Sequence, residues 1–145
     1  MDKATLSLYQ LENGYCYNSD SLFLYAFIAR FLKNGVSVVD IGAGCGILGL
    51  LCGRDFSVDL SLIDIDETNA KLCKKNADFN NINAEIFCGK CGELHKAPPM
   101  RWPALRIFQD VPKGLQNDPR SAANLYRCKI PPRGPLNPGR FSGMM

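Results

Sequence analysis

An aspartate and a set of alternating glycines stand together in the first half of the chain. Asp40 ends a short β-branched run, and glycines follow it at every second position, namely Gly42, Gly44 and Gly46. Because glycine has no Cβ, such a turn lets a ligand approach the backbone closely. A second acid, Asp64, lies further along the chain and offers oxygens that accept hydrogen bonds from ribose hydroxyls. The pattern therefore predicts a turn that binds a nucleoside.

Two classes of nucleoside ligand fit this spacing. The triplet Gly44, Gly46 and Gly49 matches the dinucleotide fingerprint, in which a pyrophosphate lies on the N-terminus of the following helix. The series from Asp40 through Gly42 to Gly46 instead matches a pattern that binds S-adenosylmethionine. Asp40 would repel a pyrophosphate, but it would attract an ammonium and a sulfonium group directly or through a water molecule. Charge thus favours S-adenosylmethionine. The alternatives are a nicotinamide or flavin cofactor, as in an NAD(P)-dependent oxidoreductase, and a glycine-rich turn with a purely structural role.

Hydrophobic periodicity predicts the elements that position this turn. The predicted elements are strands over 36–41, 58–63 and 84–88 and helices over 19–33, 47–54 and 67–80. Asp66 is the residue best placed to cap the last of these helices. Strands that alternate with helices over short links indicate an α/β fold, and here the first half of a Rossmann-like doubly wound sheet.

The chain changes character near residue 95. Residues 1–94 carry 8 Lys and Arg and 12 Asp and Glu, whereas residues 95–145 carry 9 Lys and Arg and 2 Asp and Glu. All 9 prolines lie in the second part, where they interrupt any helix or strand period. We therefore divide the chain into an N-terminal segment with the cofactor-binding half of a domain, 1–94, and an irregular or disordered tail, 95–145. Within the tail, only a short strand over 105–108 and a helix turn over 120–126 fit the pattern.

The cysteines and the hydropathy indicate the setting. The 7 cysteines are unevenly spaced, and several lie in apolar runs, which predicts free thiols in a reducing cytoplasm. Cys88 and Cys91 form a single C-x-x-C, and His95 is the 1 histidine of the chain, so we expect no metal site. No apolar run approaches the roughly 20 residues of a membrane span, so we expect no membrane partner. The sequence leaves the oligomeric state open.

Residues 36–94 resemble the first half of a class I S-adenosylmethionine-dependent methyltransferase. The run VVDIGAGCG, which ends at Gly46, is similar to the glycine-rich first motif of that family, and LSLIDID is similar to its second motif. The resemblance implies that Asp64 holds the ribose hydroxyls and that Ile65 packs near the adenine. The implied cofactor is S-adenosylmethionine, and its implied site consists of Asp40, Gly42, Gly44, Gly46, Asp64 and Ile65.

The preceding stretch LYQLENGYCYNSDSLFLYAFI resembles the lead-in of bacterial tRNA(Val) adenine-N6 methyltransferases and their small-domain relatives. In such enzymes this segment closes over the cofactor pocket. The resemblance implies transfer of a methyl group from a sulfonium to an exocyclic adenine amine of tRNA or another RNA. The implied partner is therefore an RNA substrate.

Two departures from this family pattern argue against activity. Gly89-Lys90 stands where the family usually has Gly-Asp, and a lysine cannot accept a hydrogen bond from the adenine amine. The family's Asn-Pro-Pro-Tyr/Phe motif does not occur in residues 95–145, so we assign no catalytic residue. One hypothesis is that 95–145 is an out-of-frame reading of the gene, which would leave a truncated, non-catalytic fragment that binds the cofactor. The rival hypothesis is a genuine basic tail that binds RNA phosphates.

Overall fold

The computed structural model of the chain describes residues 5–12, 19–89, 104–108 and 125–130. Helices and strands alternate through its central part, which confirms the predicted α/β class. In chain order the elements are β1 (Leu6–Leu11), α1 (Ser19–Ile28), β2 (Ser37–Ile41), α2 (Ile47–Asp55), β3 (Asp59–Asp64), α3 (Glu67–Phe79), β4 (Ala84–Cys88), β5 (Ala104–Phe108) and β6 (Leu125–Ile130).

A parallel sheet in the order β4-β3-β2-β5 forms the centre of the described structure. Strand β2 is flanked on both sides, with Asp40 opposite Leu62 of β3 and Ile107 of β5. Every residue of β2 is buried, as expected for a central parallel strand with an unbroken apolar run. The carboxyl ends of parallel strands meet at one edge of the sheet. The turn after β2 and Asp64 at the end of β3 are therefore neighbours.

The two faces of the sheet contact separate apolar clusters. Side chains alternate between the faces of a strand, so Val38 belongs to the larger cluster while Val39 and Ile41 belong to the smaller one. The larger cluster includes buried residues of α1, α2 and α3, among them Tyr25, Leu48, Leu51, Leu72 and Ala77. The helices thus hold β2 and β3 firmly from the side on which the Asp40 side chain lies.

Close packing of α2 on the sheet depends on a glycine inside the helix. A Cβ built on Gly49 would lie 2.3 Å from Leu62 Cδ2 and 3.3 Å from Asp40 Cβ. A distance of 2.3 Å is far inside van der Waals contact, so only glycine lets the helix approach β3 this closely. Gly49 is therefore explained by helix–sheet packing, and it does not need a dinucleotide to account for it.

The first helix is shorter than predicted. The prediction of a helix to Lys33 is wrong, because α1 ends at Ile28 and the chain continues in turns. Leu32 N still donates to Ile28 O at 3.2 Å, so the apolar period continues for one turn beyond the regular helix. Gly35, with φ +84°, then redirects the chain into β2.

A two-stranded antiparallel sheet joins the ends of the described chain. Strand β1 pairs with β6 from Leu6 opposite Ile130 to Leu11 opposite Leu125. Arg54 Nη1 at the end of α2 donates to Ile130 O at 3.3 Å, which ties β6 to the helix layer. Neither strand is predicted from the sequence, because six-residue patterns that pair across more than a hundred positions carry little local signal.

Of the two strands in residues 95–145, β5 agrees with the prediction and β6 corrects it. The short strand expected over 105–108 is present as β5 (Ala104–Phe108). The helix turn expected over 120–126 is wrong for residues 125 and 126, which belong to β6, while 120–124 lie outside the described residues. The segment therefore adds strands to both sheets. No helix within the described residues is long and apolar enough to cross a membrane.

Candidate cofactor site

The glycine turn between β2 and α2 has the backbone conformation that its sequence predicts. The φ angles of Gly42, Gly44 and Gly46 are +76°, +59° and +86°. All three lie in the left-handed region that residues with a Cβ rarely adopt. At its base, the turn is fixed because Gly42 N and Ala43 N donate to Ile63 O at 2.8 and 2.9 Å. The alternating glycines thus form a tight turn anchored to the end of β3.

Gly44 faces open space, whereas Gly46 faces packed side chains. A Cβ built on Gly44 would meet no heavy atom within 4 Å. One built on Gly46 would lie 3.2 Å from Leu50 Cδ1 and 3.3 Å from Leu62 Cδ1. Gly46 therefore serves internal packing, whereas Gly44 leaves room for a ligand against the backbone.

Asp64 and Gly44 are in direct contact. Asp64 is only 7% exposed, and its Oδ2 accepts from Gly44 N at 2.9 Å. Its Oδ1 accepts from Asp66 N at 2.9 Å and from Asn69 Nδ2 at 3.3 Å. Because a carboxylate oxygen can accept two hydrogen bonds, Oδ2 can hold the turn and still receive a ligand hydroxyl. The structure thus brings together the acid and the glycine that the sequence places 20 residues apart.

Asp66, two residues later, has a separate role. Its Oδ1 accepts from Thr68 N at 2.8 Å and from Asn69 N at 3.4 Å. These backbone groups belong to the first turn of α3, where they have no partner inside the helix. Asp66 is therefore the N-cap of α3, as predicted, and Asp64 is left to the turn.

Asp40 lies beneath the turn, on the side away from open space. Its side chain is fully buried at 0% exposure, and its Oδ2 accepts from Gly49 N at 3.0 Å. Gly49 belongs to the first turn of α2. The carboxylate therefore accepts from an N–H that has no partner within the helix, and its negative charge compensates the positive end of the helix dipole. Direct contact with a ligand stays a prediction.

Ile65 lies at the same edge of the sheet as Asp64. Its side chain is 66% exposed, although it follows the buried end of β3. A thiol and a backbone N–H hold the main chain here, because Cys88 Sγ donates to Ile65 O at 3.8 Å and Gly89 N donates to Asp64 O at 3.0 Å. An exposed branched side chain beside an acid predicted to bind ribose is suitable for covering a flat base. The adenine contact itself stays a prediction.

Two asparagines at the C-terminal end of α3 are functional candidates that sequence reasoning missed. Asn76 Nδ2 donates to Cys45 O at 2.8 Å and to Tyr9 O at 3.0 Å, while its Oδ1 accepts from Tyr9 N at 2.7 Å. Asn80, the C-cap of the helix, bonds Ser7 in the same way, at 2.8 Å from Ser7 N and 2.7 Å to Ser7 O. The available signal was their spacing, since residues four apart share a helix face.

Two thiols are buried in the helices around the turn, Cys73 in α3 and Cys52 in α2. Cys73 Sγ donates to Gly44 O at 3.1 Å, and burial raises the pKa of this thiol well above its ordinary value, with Asp40 adding to the effect. Burial also raises the pKa of Cys52 to about 12, again with a contribution from Asp40. Both groups therefore stay neutral thiols near neutral pH. Cys45, Cys52, Cys73 and Cys88 are all free, which agrees with the predicted free thiols for these four.

Several sequence predictions fall on residues that the structure does not describe. They include Gly14, Tyr15 and Tyr17 of the lead-in, Lys90, and residues 120–124 of the expected helix turn. Among the described residues, no group of three or more His, Cys, Asp or Glu is arranged to hold a metal ion. The described part of the site thus consists of the glycine turn, Asp40, Asp64 and Ile65.

A parallel sheet with a left-handed glycine turn after one strand and an acid bonded to that turn from the next defines a Rossmann-like domain. The family model of the methyltransferase small domain matches residues 19–97 of the chain. That match covers more than half of the sequence, so the chain belongs to the methyltransferase small-domain family. The predicted class of methyltransferase is thereby confirmed at the level of the family.

The curated relatives include several enzymes named ribosomal protein L11 methyltransferase. The one from Acetivibrio thermocellus is 31% identical over 68 residues, which cover 46% of this chain and 22% of that protein. The one from Caldicellulosiruptor bescii is 34% identical over 101 residues, covering 63% of this chain and 32% of that protein. The chain therefore spans between about a fifth and a third of the length of these relatives. Their names do not confirm the tRNA adenine specificity, which stays a prediction.

Solved structures with a similar fold include a hypothetical protein of Thermus thermophilus, at 18% identity and a TM-score of 0.45, covering 55% of this chain and 46% of that one. Another is the tRNA (uracil-54, C5)-methyltransferase of Pyrococcus abyssi in complex with S-adenosyl-L-homocysteine. It is 27% identical with a TM-score of 0.41, and the match covers 52% of this chain and 19% of that one.

Proposed function

We propose that this chain binds S-adenosylmethionine at the turn between β2 and α2 and forms the cofactor-binding part of an N-methyltransferase. The observation that carries the proposal is the 2.9 Å hydrogen bond between Asp64 Oδ2 and Gly44 N. It places a hydroxyl acceptor directly beside Gly44, where a built Cβ would meet no heavy atom within 4 Å. One nucleoside can therefore contact both groups at once.

Asp40 supports S-adenosylmethionine over a dinucleotide. The N-terminus of a helix normally attracts phosphate oxygens through its dipole and its free N–H groups. At α2, however, the buried Asp40 carboxylate already accepts the N–H of Gly49 and opposes the dipole. The resulting field disfavours a pyrophosphate and favours a ligand with an ammonium and a sulfonium group.

The residues present fit S-adenosylmethionine, which supplies an electrophilic methyl group when bound. Asp64 Oδ2 would accept from a ribose hydroxyl while it keeps Gly44 in place. The Gly44 backbone would lie against the ligand, and the exposed Ile65 side chain would cover one face of the adenine. Asp40 would favour the cationic end of the ligand through its field. No described residue is assigned to activate the methyl acceptor.

We propose that the substrate is an adenine amine of RNA, with tRNA as the preferred RNA. We also propose that the protein acts in the cytoplasm. The lead-in sequence supports this choice, and so does the excess of 9 Lys and Arg over 2 Asp and Glu in residues 95–145, since cationic side chains attract RNA phosphates. The second candidate is a protein nitrogen, which the relatives named for ribosomal protein L11 favour.

A labelled methyl-transfer assay distinguishes these candidates. The full chain is incubated with methyl-labelled S-adenosylmethionine and with either unmodified tRNA or ribosomal protein L11. Label in an adenine of the RNA supports the first proposal, and label in the protein supports the second. If the chain binds S-adenosylhomocysteine but transfers no label to either, it is the non-catalytic cofactor-binding fragment.

A further inference from the structure

The side chain of Asn76 connects two segments that are far apart in the chain. Its amide nitrogen donates to Cys45 O in the glycine turn at 2.8 Å, and the same nitrogen donates to Tyr9 O of β1 at 3.0 Å. Its oxygen accepts from Tyr9 N at 2.7 Å. Asn76 is 0% exposed, and both N–H donors are used. A single buried amide thus holds the turn and β1 against α3.

The Cys45 carbonyl belongs to the peptide between Cys45 and Gly46. Cys45 stands between Gly44 and Gly46, whose φ angles of +59° and +86° are left-handed. The preceding carbonyl, that of Gly44, accepts from Cys73 Sγ at 3.1 Å. Helix α3 therefore fixes two successive carbonyls of the turn. This leaves Gly44 N oriented toward Asp64, at 2.9 Å from its Oδ2.

Asn80 also binds β1, but it makes no hydrogen bond to the glycine turn. It bonds both backbone groups of Ser7 and donates to Asn76 O at 2.7 Å, but none of these hydrogen bonds reaches the glycine turn. Ser7 and Tyr9 are two residues apart, so their backbone groups point to the same side of β1. The two asparagines therefore hold one edge of β1 in place of a neighbouring strand, and Asn76 extends the connection to the turn.

We propose that Asn76 is a positioning residue that couples binding at the glycine turn to the attachment of β1. This inference rests on the proposed function of the turn as the site for S-adenosylmethionine. Coupling free energies are reciprocal. A ligand that stabilises the turn therefore also stabilises the attachment of β1, and release of β1 lowers the affinity for the ligand.

The matched pair Asn76→Ala and Asn80→Ala tests this proposal. Both variants loosen β1, but only Asn76→Ala also removes the bond to Cys45 O. We expect Asn76→Ala to weaken S-adenosylhomocysteine binding by about 10-fold, and Asn80→Ala to weaken it by less than about 2-fold. Calorimetric titration measures the affinities, and thermal unfolding records the stability that each variant loses. Equal weakening by the two variants would overturn the proposal.

Amide hydrogen exchange at residues 6–11 measures the coupling itself. If Asn76 had only a structural role, its substitution would not change the effect of the ligand on this exchange. We expect S-adenosylhomocysteine to slow this exchange in the wild-type chain and in Asn80→Ala, but not in Asn76→Ala. The same slowing in all three proteins would mean that Asn76 does not transmit the effect. If Asn76→Ala fails to fold, Asn76→Ser takes its place, because a hydroxyl with a water molecule can retain part of the polar contact.

Failure of the proposed function is recognised separately. If the folded wild-type chain does not bind S-adenosylhomocysteine, the site assignment is wrong. The connection between Asn76 and the turn is then tested by hydrogen exchange of the ligand-free proteins. Faster exchange at residues 42–46 in Asn76→Ala than in Asn80→Ala supports the connection between α3 and the turn. Equal exchange at these residues in the two variants overturns it.

Discussion

Asp64 is the residue on which the nucleoside site depends most directly. The Asp64→Asn substitution keeps the size of the side chain but replaces one acceptor oxygen by a donor. Either Oδ2, which accepts from Gly44 N and would accept from the ligand, is replaced, or Oδ1 loses the bonds from Asp66 N and Asn69 Nδ2 that orient the side chain. Hydrogen bonds to charged groups contribute about 1.5–3 kcal/mol, so we expect S-adenosylhomocysteine affinity to fall at least 10-fold. Asp66→Asn is the control, because asparagine is an equally good N-cap. A similar loss of affinity in the control would contradict the role of Asp64.

Substitutions at Gly44 and Gly49 distinguish a glycine that leaves room for a ligand from one that is needed for packing. Gly44→Ala places a methyl group in open space, where it meets no protein atom within 4 Å, but a left-handed φ costs about 1–2 kcal/mol for a residue with a Cβ. We expect this variant to lose ligand affinity with a modest loss of stability. Gly49→Ala puts its Cβ 2.3 Å from Leu62 Cδ2, and such overpacking costs about 1–3 kcal/mol.

Isothermal titration and urea unfolding measure the two effects for this pair. Tight ligand binding by Gly44→Ala would mean that the open side of the turn is not the ligand side. An unchanged urea midpoint in Gly49→Ala would mean that α2 does not pack on β3 as closely as described.

Cys52 makes the stability of the fold sensitive to alkaline pH. Burial raises the pKa of its thiol from 9.0 to about 12, so the unfolded chain loses this proton at a lower pH than the folded chain. The contribution of Cys52 to stability is therefore complete below pH 9.0 and declines as pH rises toward about 12. Urea midpoints at neutral pH and above pH 9.0 should fall more steeply for the wild type than for Cys52→Ala. Parallel declines would contradict this account.

At the scale of the elements, Asp40 links the end of β2 to the start of α2. Asp40→Ala leaves the buried Gly49 N–H without this acceptor, a loss that costs about 1–3 kcal/mol. It also removes the negative field that favours a cationic ligand, so we expect weaker binding of S-adenosylmethionine, which carries the sulfonium charge. Asp40→Asn separates the two effects, because an amide oxygen can still accept from Gly49 N without the charge. If neither variant changes the affinity, Asp40 does not select the ligand.

The central elements could be predicted because each has a complete local pattern. The apolar run before Asp40 and the capped, amphipathic pattern after Asp66 place β2 and α3 within a residue or two of their observed bounds. Strands β1 and β6 could not be found in this way, because they pair over more than a hundred residues and are short. The end of α1 was misplaced because an apolar period continues into the turns after Ile28.

The candidate site was predictable to a different extent. Alternating glycines after a strand and an acid at the end of the next strand form a pattern typical of nucleoside sites, so the turn and Asp64 could be named from the sequence. Asn76 could not, because its partners are backbone groups of Tyr9 and Cys45, and the sequence does not show which backbone groups meet. The buried position of Asp40 could not be foreseen either, since the motif specifies its place in the chain and not the direction of its side chain.

At the scale of the whole molecule, residues 1–94 and 95–145 differ in charge and proline content, and the second part lacks the expected catalytic motif. Strands β5 and β6 nevertheless belong to that second part and pair with β2 and β1. Translation of the DNA downstream of codon 94 in the other two frames tests the out-of-frame hypothesis. A run similar to Asn-Pro-Pro-Phe, followed by strand and helix patterns, would support it, and stop codons throughout both frames would exclude it.

Calorimetric titration of the full chain with S-adenosylhomocysteine and, separately, with NADH tests the central claim most directly. The turn holds Asp64 against Gly44 N on its outer side, and Asp40 opposes the dipole of α2 from beneath. We therefore expect saturable one-site binding of S-adenosylhomocysteine and no heat of binding with NADH. Saturable binding of NADH together with no binding of S-adenosylhomocysteine would contradict the assignment of this site.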